Sequence, residues 1–213
     1  MTAPDRVIRD EIHRDILVPA HHAKIIDTPE FQRLRSIQQL STCEYVFPAA
    51  THNRFAHSLG AYHLAGRFIH HLETAHPGII SDDDAELVQL AALLHDIGHP
   101  PYSHLLETPR VYATFASHES WGRRMLESNE TAIGIVVEEV LGKRRLQRLF
   151  AIMDGSDEFE GIAIPKFLKE IVSSQVDVDR MDYMILDQAH TDSHSGGLDS
   201  PSVKRAVRLF DDG

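Results

Sequence analysis

The sequence predicts an all-α domain with one short extended, hairpin-like segment near its N-terminus. Two observations carry that expectation. Apolar residues recur at spacings of three and four through the long stretches of the chain, the periodicity of a helix face. Helix starts and stops also punctuate the chain repeatedly, as Ser81-Asp82-Asp83-Asp84, Ser117, Pro165 and Pro77-Gly78.

Taken in order, residues 6–19 show β-branched pairs broken by polar residues, the pattern of a short hairpin. Asp27-Thr28-Pro29-Glu30 then starts a helix, with Asp or Thr as N-cap, Pro in the first turn and Glu30 closing a capping box; this helix is expected to end near Leu40. A long helix from about Asn53 to His76 carries Phe55, Leu59, Tyr62, Phe68, Ile69 and Leu72 on one side. Ser81 and the three aspartates after it cap the next, placing negative charge at the positive end of its dipole. Its apolar residues Leu87, Leu90, Ala91 and Leu94 run directly into His95. Further helices are expected from Ser117 to about Glu127, at about 130–141 and 143–153, from Pro165 to about Gln175, from Val178 to Ala189, and briefly after Asp199-Ser200-Pro201. Asp154–Gly161 and His190–Ser200 read as loops.

Composition limits the function. The chain has 213 residues, enough for one domain with a sizeable core. Its net charge of −11 argues against general attraction to nucleic acid or to an anionic membrane surface. A phosphorylated ligand would therefore need local positive charge from Arg, Lys or a metal. The single cysteine, Cys43, rules out an intrachain disulfide and is expected to be a small buried residue in a reducing, cytoplasmic setting. Met1–Arg9 has no apolar leader, and Leu87–Leu94 is too short to span a bilayer.

The chemistry concentrates in histidine, with 15 in the chain. His95 and Asp96 are adjacent where an apolar helix meets Gly98, Pro100 and Pro101. In mid-helix, neighbours point about 100° apart; at a helix end the backbone can relax and bring both side chains to one ion. His57 follows Arg54 by three residues and so shares its helix face. Alone it reads most simply as a surface histidine, but a neutral imidazole beside a guanidinium also suits a metal ligand next to an anion site. Asp177-Val178-Asp179-Arg180-Met181-Asp182-Tyr183 and Asp187 place four carboxylates in eleven residues, with Asp179, Tyr183 and Asp187 on one face. Capping explains acids in the first turn, not Asp187. His104 with Glu107, followed by His118 at a helix start, could form an acid–base group. Together, His57, His95, Asp96 and Asp179 make an N₂O₂ set suited to Fe, Mn, Zn or Mg.

That His…His-Asp…Asp order resembles the signature of the HD-domain metal-dependent phosphohydrolases. The blocks Asp27–Arg35, Val46–Gly60, Leu94–His99 and Asp177–Tyr183 further resemble the dNTP triphosphohydrolase branch, which includes the SAM-and-HD-domain enzyme and the bacterial dGTPases. The resemblance implies an HD-domain helical bundle. It implies a divalent metal on His57, His95, Asp96 and Asp179, with Arg54 and His99 along the phosphates. His104, Glu107 and His118 would transfer protons, and Gln39, Tyr183 and Asp187 would contact the deoxynucleoside sugar. Arg54 and protonated histidine would supply the positive charge that the acidic chain otherwise lacks. It also implies a homo-oligomer. Residues 1–213 are read as a single HD-domain catalytic core lacking a C-terminal helical extension. Departures from the branch are Glu107 in place of Asp, Pro100 in place of Gly, and the Thr191–Leu198 loop.

The expected activity is hydrolysis of a dNTP to deoxynucleoside and inorganic triphosphate. Two other readings share these residues: a nucleotidase or phosphodiesterase on the same core, and a non-catalytic nucleotide-binding regulatory module.

Overall fold

The computed structural model describes residues 5–102, 106 and 117–191. His104, Glu107, most of the Thr191–Leu198 loop and the helix expected after Pro201 lie outside the described residues.

The extended segment is an antiparallel hairpin of β1 (Arg6–Asp10) and β2 (Arg14–Val18), in register from Arg6↔Val18 to Asp10↔Arg14. Alternation sets its orientation: Ile16 and Val18 are fully buried while Leu17 faces out. The first helix, α1 (Ala20–Ile26), was not anticipated, because its seven residues hold too few apolar positions to show a period; Ala23, Ile25 and Ile26 nevertheless enter the core.

The helix expected from Asp27 to Leu40 is shorter. α2 (Pro29–Gln32) gives way to a 3₁₀ turn over Arg33–Ser36. The residues of the expected capping box serve other partners. Asp27 receives two hydrogen bonds from Arg6, at 2.6 and 2.7 Å. Glu30 accepts from the backbone N–H groups of Ala132 and Ile133, so it caps a different helix. Beyond Ser36 the chain extends, pairing Gln39 N–H with His52 O and Ile37 O with Arg54 N–H. Cys43 opens a second 3₁₀ turn and is exposed, contrary to expectation, because Cys43–Val46 runs along the surface with Tyr45 and Val46.

Among the described residues, the remaining expected helices form close to their predicted limits, and side-chain caps explain most of the starts. α3 (Arg54–Ala75) is capped by Asn53, α4 (Asp82–Leu94) by Ser81, α5 (His118–Glu127) by Ser117, and α6 (Ala132–Met153) by Thr131. Gly142, at φ 72°, interrupts α6 where two helices were expected to meet. A two-residue hairpin, β3 (Glu158–Phe159) with β4 (Ile162–Ala163), begins inside the predicted acidic loop. α7 (Lys166–Val172) and α8 (Val178–Thr191) complete the described chain. Asp177 starts α8 by accepting from Arg180 N–H at 2.7 Å.

α4 is the central element, packed against α3, α6 and α7. Its C-terminal half is apolar apart from Gln89, with Leu87, Val88, Leu90, Leu93 and Leu94 fully buried. Each such side chain contributes about 1.5–3 kcal/mol by leaving water, so the end of α4, and with it His95, is firmly seated. α8 lies against α3. The site is thus framed by α3, the end of α4, α5 and α8.

Candidate metal centre and substrate cavity

His57, His95 and Asp179 bring one ligand atom each to a common point, and Asp96 lies against both histidines. His57 comes from the first turn of α3, His95 and Asp96 from the end of α4, and Asp179 from the first turn of α8. His57 Nε2 lies 3.3 Å from His95 Nε2, 3.1 Å from Asp179 Oδ1 and 3.7 Å from Asp96 Oδ2. His95 Nε2 is 3.3 Å from Asp96 Oδ1 and 3.5 Å from Asp179 Oδ1. The backbone relaxation expected at the helix end brings the adjacent His95 and Asp96 to one point.

The outer nitrogens show how these imidazoles are held. His95 Nδ1 donates to the carbonyl of Ala92 at 2.8 Å, and His57 Nδ1 to Asp182 Oδ2 at 2.8 Å. A carbonyl oxygen only accepts, so Nδ1 of His95 carries the proton and the Nε2 lone pair of the neutral ring points inward. Two Nε2 atoms facing each other at 3.3 Å have no proton to share in that state. The spacing suits ligands around one ion: with bonds of about 2.1 Å, neighbouring ligand atoms stand about 3.0–3.4 Å apart. The donor set and its geometry therefore fit a divalent metal.

Charge agrees. Burial pushes the His57 imidazole toward its neutral form, yet the carboxylates of Asp179, Asp182 and Asp96 overcome this and raise its pKa to about 10. His95 is likewise raised against burial, by Asp96 and Asp179. Asp179 is held below the usual carboxylate range, burial being outweighed by His57 and His95. Asp96 is held well below it, burial being outweighed by His95, His99, Arg54 and His57. The cage is an excess of negative charge that favours a cation at its centre.

Beside it opens a cavity of about 680 Å³. Its walls include Gln39, Arg54, His95, Asp96, His99, His118, Asp179, Tyr183 and Asp187, so the predicted site residues within the described chain lie in or directly behind one cavity, His57 being the one behind. His99 and His118 stack with ring centroids 3.8 Å apart and planes at 15°. This contact needs a close approach of α5: a Cβ at Gly98 would stand 2.0 Å from His118 O and 2.3 Å from Gly122 N.

Two expectations about charge change. Arg54 is almost fully buried and donates through Nη1 to Asp96, so part of its charge is committed to the cage. His99 is neutral at pH 7, since burial lowers its pKa to about 4 despite the neighbouring Asp96. Protonated His99 is therefore not a source of positive charge.

The structure also adds residues that the sequence reading did not single out. Asp182, on the turn after Asp179, is fully buried and binds His57. Arg33 donates to the carbonyls of Ile97 and His99 at 2.6 and 2.7 Å, fixing the loop after the His-Asp pair. His52 donates to Asp187 at 3.0 Å and stacks on His190. For Asp182 a local signal existed, its position three residues after Asp179 on the same helix. Arg33 and His52 act across long sequence separations, and no local pattern marks them.

The sequence comparisons agree with this geometry. The HD domain family matches residues 54–185, the span that holds all four metal-cage residues. The chain belongs to the HD domain family. This HD-domain protein is 38% identical over 214 residues to the human deoxynucleoside triphosphate triphosphohydrolase SAMHD1, covering 87% of this chain and 33% of that protein. It is 36% identical over 210 residues to an uncharacterized protein of Methanocaldococcus jannaschii, covering 97% of this chain and 38% of that one. The crystal structure of a phosphohydrolase from Bacteroides thetaiotaomicron superposes with a TM-score of 0.81 at 33% identity, covering 97% of this chain and 48% of that one. The HD-domain chain thus spans between a third and a half of the length of these relatives.

Proposed function

We propose that this HD-domain protein is a metal-dependent dNTP triphosphohydrolase, releasing deoxynucleoside and inorganic triphosphate. The observation that carries the reading is the four-residue metal cage opening into a cavity lined by the stacked His99–His118 pair. The name of the human relative supports the same substrate class, and that of the Bacteroides structure supports phosphohydrolysis.

His57, His95, Asp96 and Asp179 would hold the ion. When bound, it supplies charge neutralisation at the phosphate and lowers the pKa of water. Arg54, anchored on Asp96, orients an α-phosphate oxygen at the cavity wall. Neutral His99 accepts or donates one hydrogen bond beside it. Water attacks the α-phosphorus, its proton passing to solvent as the new triphosphate oxygen ionises, and the bond from phosphorus to the 5′-oxygen breaks. His118, stacked on His99, delivers the proton that the leaving 5′-oxygen needs, and His104 and Glu107 serve that proton transfer. Gln39 has a buried Oε1 with no hydrogen-bond partner among the described residues, and it lines the cavity. A sugar hydroxyl can donate to it, with Tyr183 and Asp187 on the facing helix.

The proposal extends further: residues 1–213 hold a single catalytic core, the protein self-associates, and it works in the cytoplasm. Among the described residues, no helix is long and apolar enough to cross a membrane.

Chromatography of the products from each dNTP with Mg²⁺, Mn²⁺ or Fe²⁺ tests the reading. Deoxynucleoside and triphosphate are expected in equal amounts. Stepwise release of phosphate, or cleavage of a cyclic nucleotide alone, makes the protein a nucleotidase or phosphodiesterase. Metal and nucleotide binding without any turnover makes it a regulatory module. His118→Ala should keep the metal and lose about 10²–10⁴-fold in turnover; normal turnover would remove His118 from the acid role.

A further inference from the structure

We infer that His13, in the turn of the N-terminal hairpin, is a positioning residue of the metal centre, acting through Asp182 on the ligand His57. The inference rests on the metal site proposed above, not on its substrate.

Asp182 is a fully buried carboxylate with each oxygen committed to a different imidazole. Oδ2 accepts from His57 Nδ1 at 2.8 Å, and Oδ1 accepts from His13 Nε2 at 2.6 Å. Burying a carboxylate is costly unless its oxygens are satisfied. The fold makes room for it with Gly60 on α3, where a Cβ would stand 1.9 Å from Oδ1. With both oxygens bonded, the carboxylate plane cannot rotate without breaking one bond, and this fixes the ring orientation of His57. Removing His13 would leave Oδ1 buried and unpaired, and Asp182 would then turn to recover a partner and slacken its grip on His57.

The hairpin is built to hold His13 in place. Asp10 Oδ1 accepts from the N–H groups of Ile12 and His13, at 2.8 and 2.7 Å, closing the turn. Arg14 takes φ 66° to re-enter β2. The burial of Ile16 and Val18 locks the register, since a one-residue slip would send His13 to the opposite face. His63 of α3 packs against the His13 ring, with centroids 5.2 Å apart. The His13 side chain is only 6% exposed, although it sits at a hairpin tip. A second latch joins the same turn to the far end of α8, where His190 Nε2 donates to Glu11 at 2.8 Å. The family match begins at residue 54, so His13 lies outside it. The metal centre of this chain thus extends 41 residues upstream of the matched region.

Zn²⁺ affinity of the full chain, measured by competition with a chromophoric chelator, tests this without reference to turnover. Asp182→Asn should weaken Zn²⁺ binding about 10–100-fold, the usual effect of losing a partner behind a ligating histidine. His13→Asn suits the turn but is too short to reach Asp182, and should weaken binding about fivefold, the factor one modest hydrogen bond is worth. His13→Gln can still donate to Asp182 and should recover most of that loss. The histidine ¹⁵N resonances of the Zn²⁺-loaded protein should show the His57 Nδ1 proton perturbed in His13→Asn and restored in His13→Gln. A folded His13→Asn protein with wild-type Zn²⁺ affinity and an unchanged His57 resonance overturns the inference, whichever nucleotide is hydrolysed. Conversely, a protein that binds Zn²⁺ as described but cleaves no dNTP overturns the substrate reading and leaves this one standing.

Discussion

At the His57–His95 cage, the imidazoles are anchored by Nδ1, and their Nε2 atoms converge with Asp179 Oδ1 on a common centre, Asp96 standing against both rings. A second cluster, His21, His22 and Glu86, uses the same residue types in the opposite sense. There the Nε2 atoms are the anchored ones, both reaching Glu86 Oε1, at 2.8 and 3.0 Å. Glu86 Oε2 is taken by Arg145 at 2.6 Å, and His22 Nδ1 meets the Tyr62 hydroxyl. The first cluster has excess carboxylate, which holds protons on its imidazoles in the absence of a metal and leaves inward-facing lone pairs once those protons are given up. The second already has its cation in Arg145, and its hydrogen bonds close on themselves. Both bring ligand atoms close enough for an ion, so proximity of His and Glu is not sufficient. What separates a metal site from an ionic staple is which nitrogen is held from behind and whether the charge is already balanced.

The comparison breaks most easily at the ligands. His95→Ala or Asp96→Ala should abolish stoichiometric metal and lower turnover by about 10³-fold or more, since the ion is worth several kcal/mol in the transition state. Glu86→Gln should leave metal content unchanged. Metal analysis of the three purified variants checks this, and a loss of metal in Glu86→Gln would erase the distinction.

The pH dependence of stability should differ in sign between the clusters. In metal-free protein, the folded pKa of His57 is about 10, above the unfolded value. Its stabilisation is therefore complete below pH ~6.5 and lost as pH rises toward 10. The His22 pKa is lowered, burial outweighing Glu86. Its contribution is complete above pH ~6.5 and lost as pH falls. In melts of chelator-treated protein, His57→Gln should flatten the alkaline limb and His22→Gln the acid limb. Saturating Zn²⁺ should also remove the alkaline slope. The reverse assignment of limbs would invert the account of the two sites.

The smallest effect expected is on ordinary stability. Glu86 is partly exposed, and Arg145 retains Asp83 as a partner. Glu86→Gln should therefore cost only about 1 kcal/mol, or a melting temperature lower by about 2–4 °C. A much larger loss would show that the staple holds α1, α4 and α6 together more strongly than exposed ion pairs do.

Much of this was legible in the chain itself. The long helices were, because Asn53, Ser81, Ser117 and Thr131 cap them within a few residues of sequence. The candidate cage residues were, because His95-Asp96 sits at a helix end and Asp179 in a helix start. α1 and the early end of α2 were not, and for one reason: Asp27, Glu30 and Arg33 are satisfied by Arg6, the start of α6 and the loop after His95, all distant in sequence. A capping box and a long-range cap use identical residues.

By itself the sequence determined the helical class, the hairpin and the identities of the four cage residues, since these rest on local periodicity, local capping and ligand chemistry. Tertiary structure alone decided the state of each side chain. It neutralised His99 by burial, committed Arg54 to Asp96, and set Asp182 between His57 and His13. Hydrogen-bond direction and charge depend on what packs against a group in space, and a linear pattern does not carry that information.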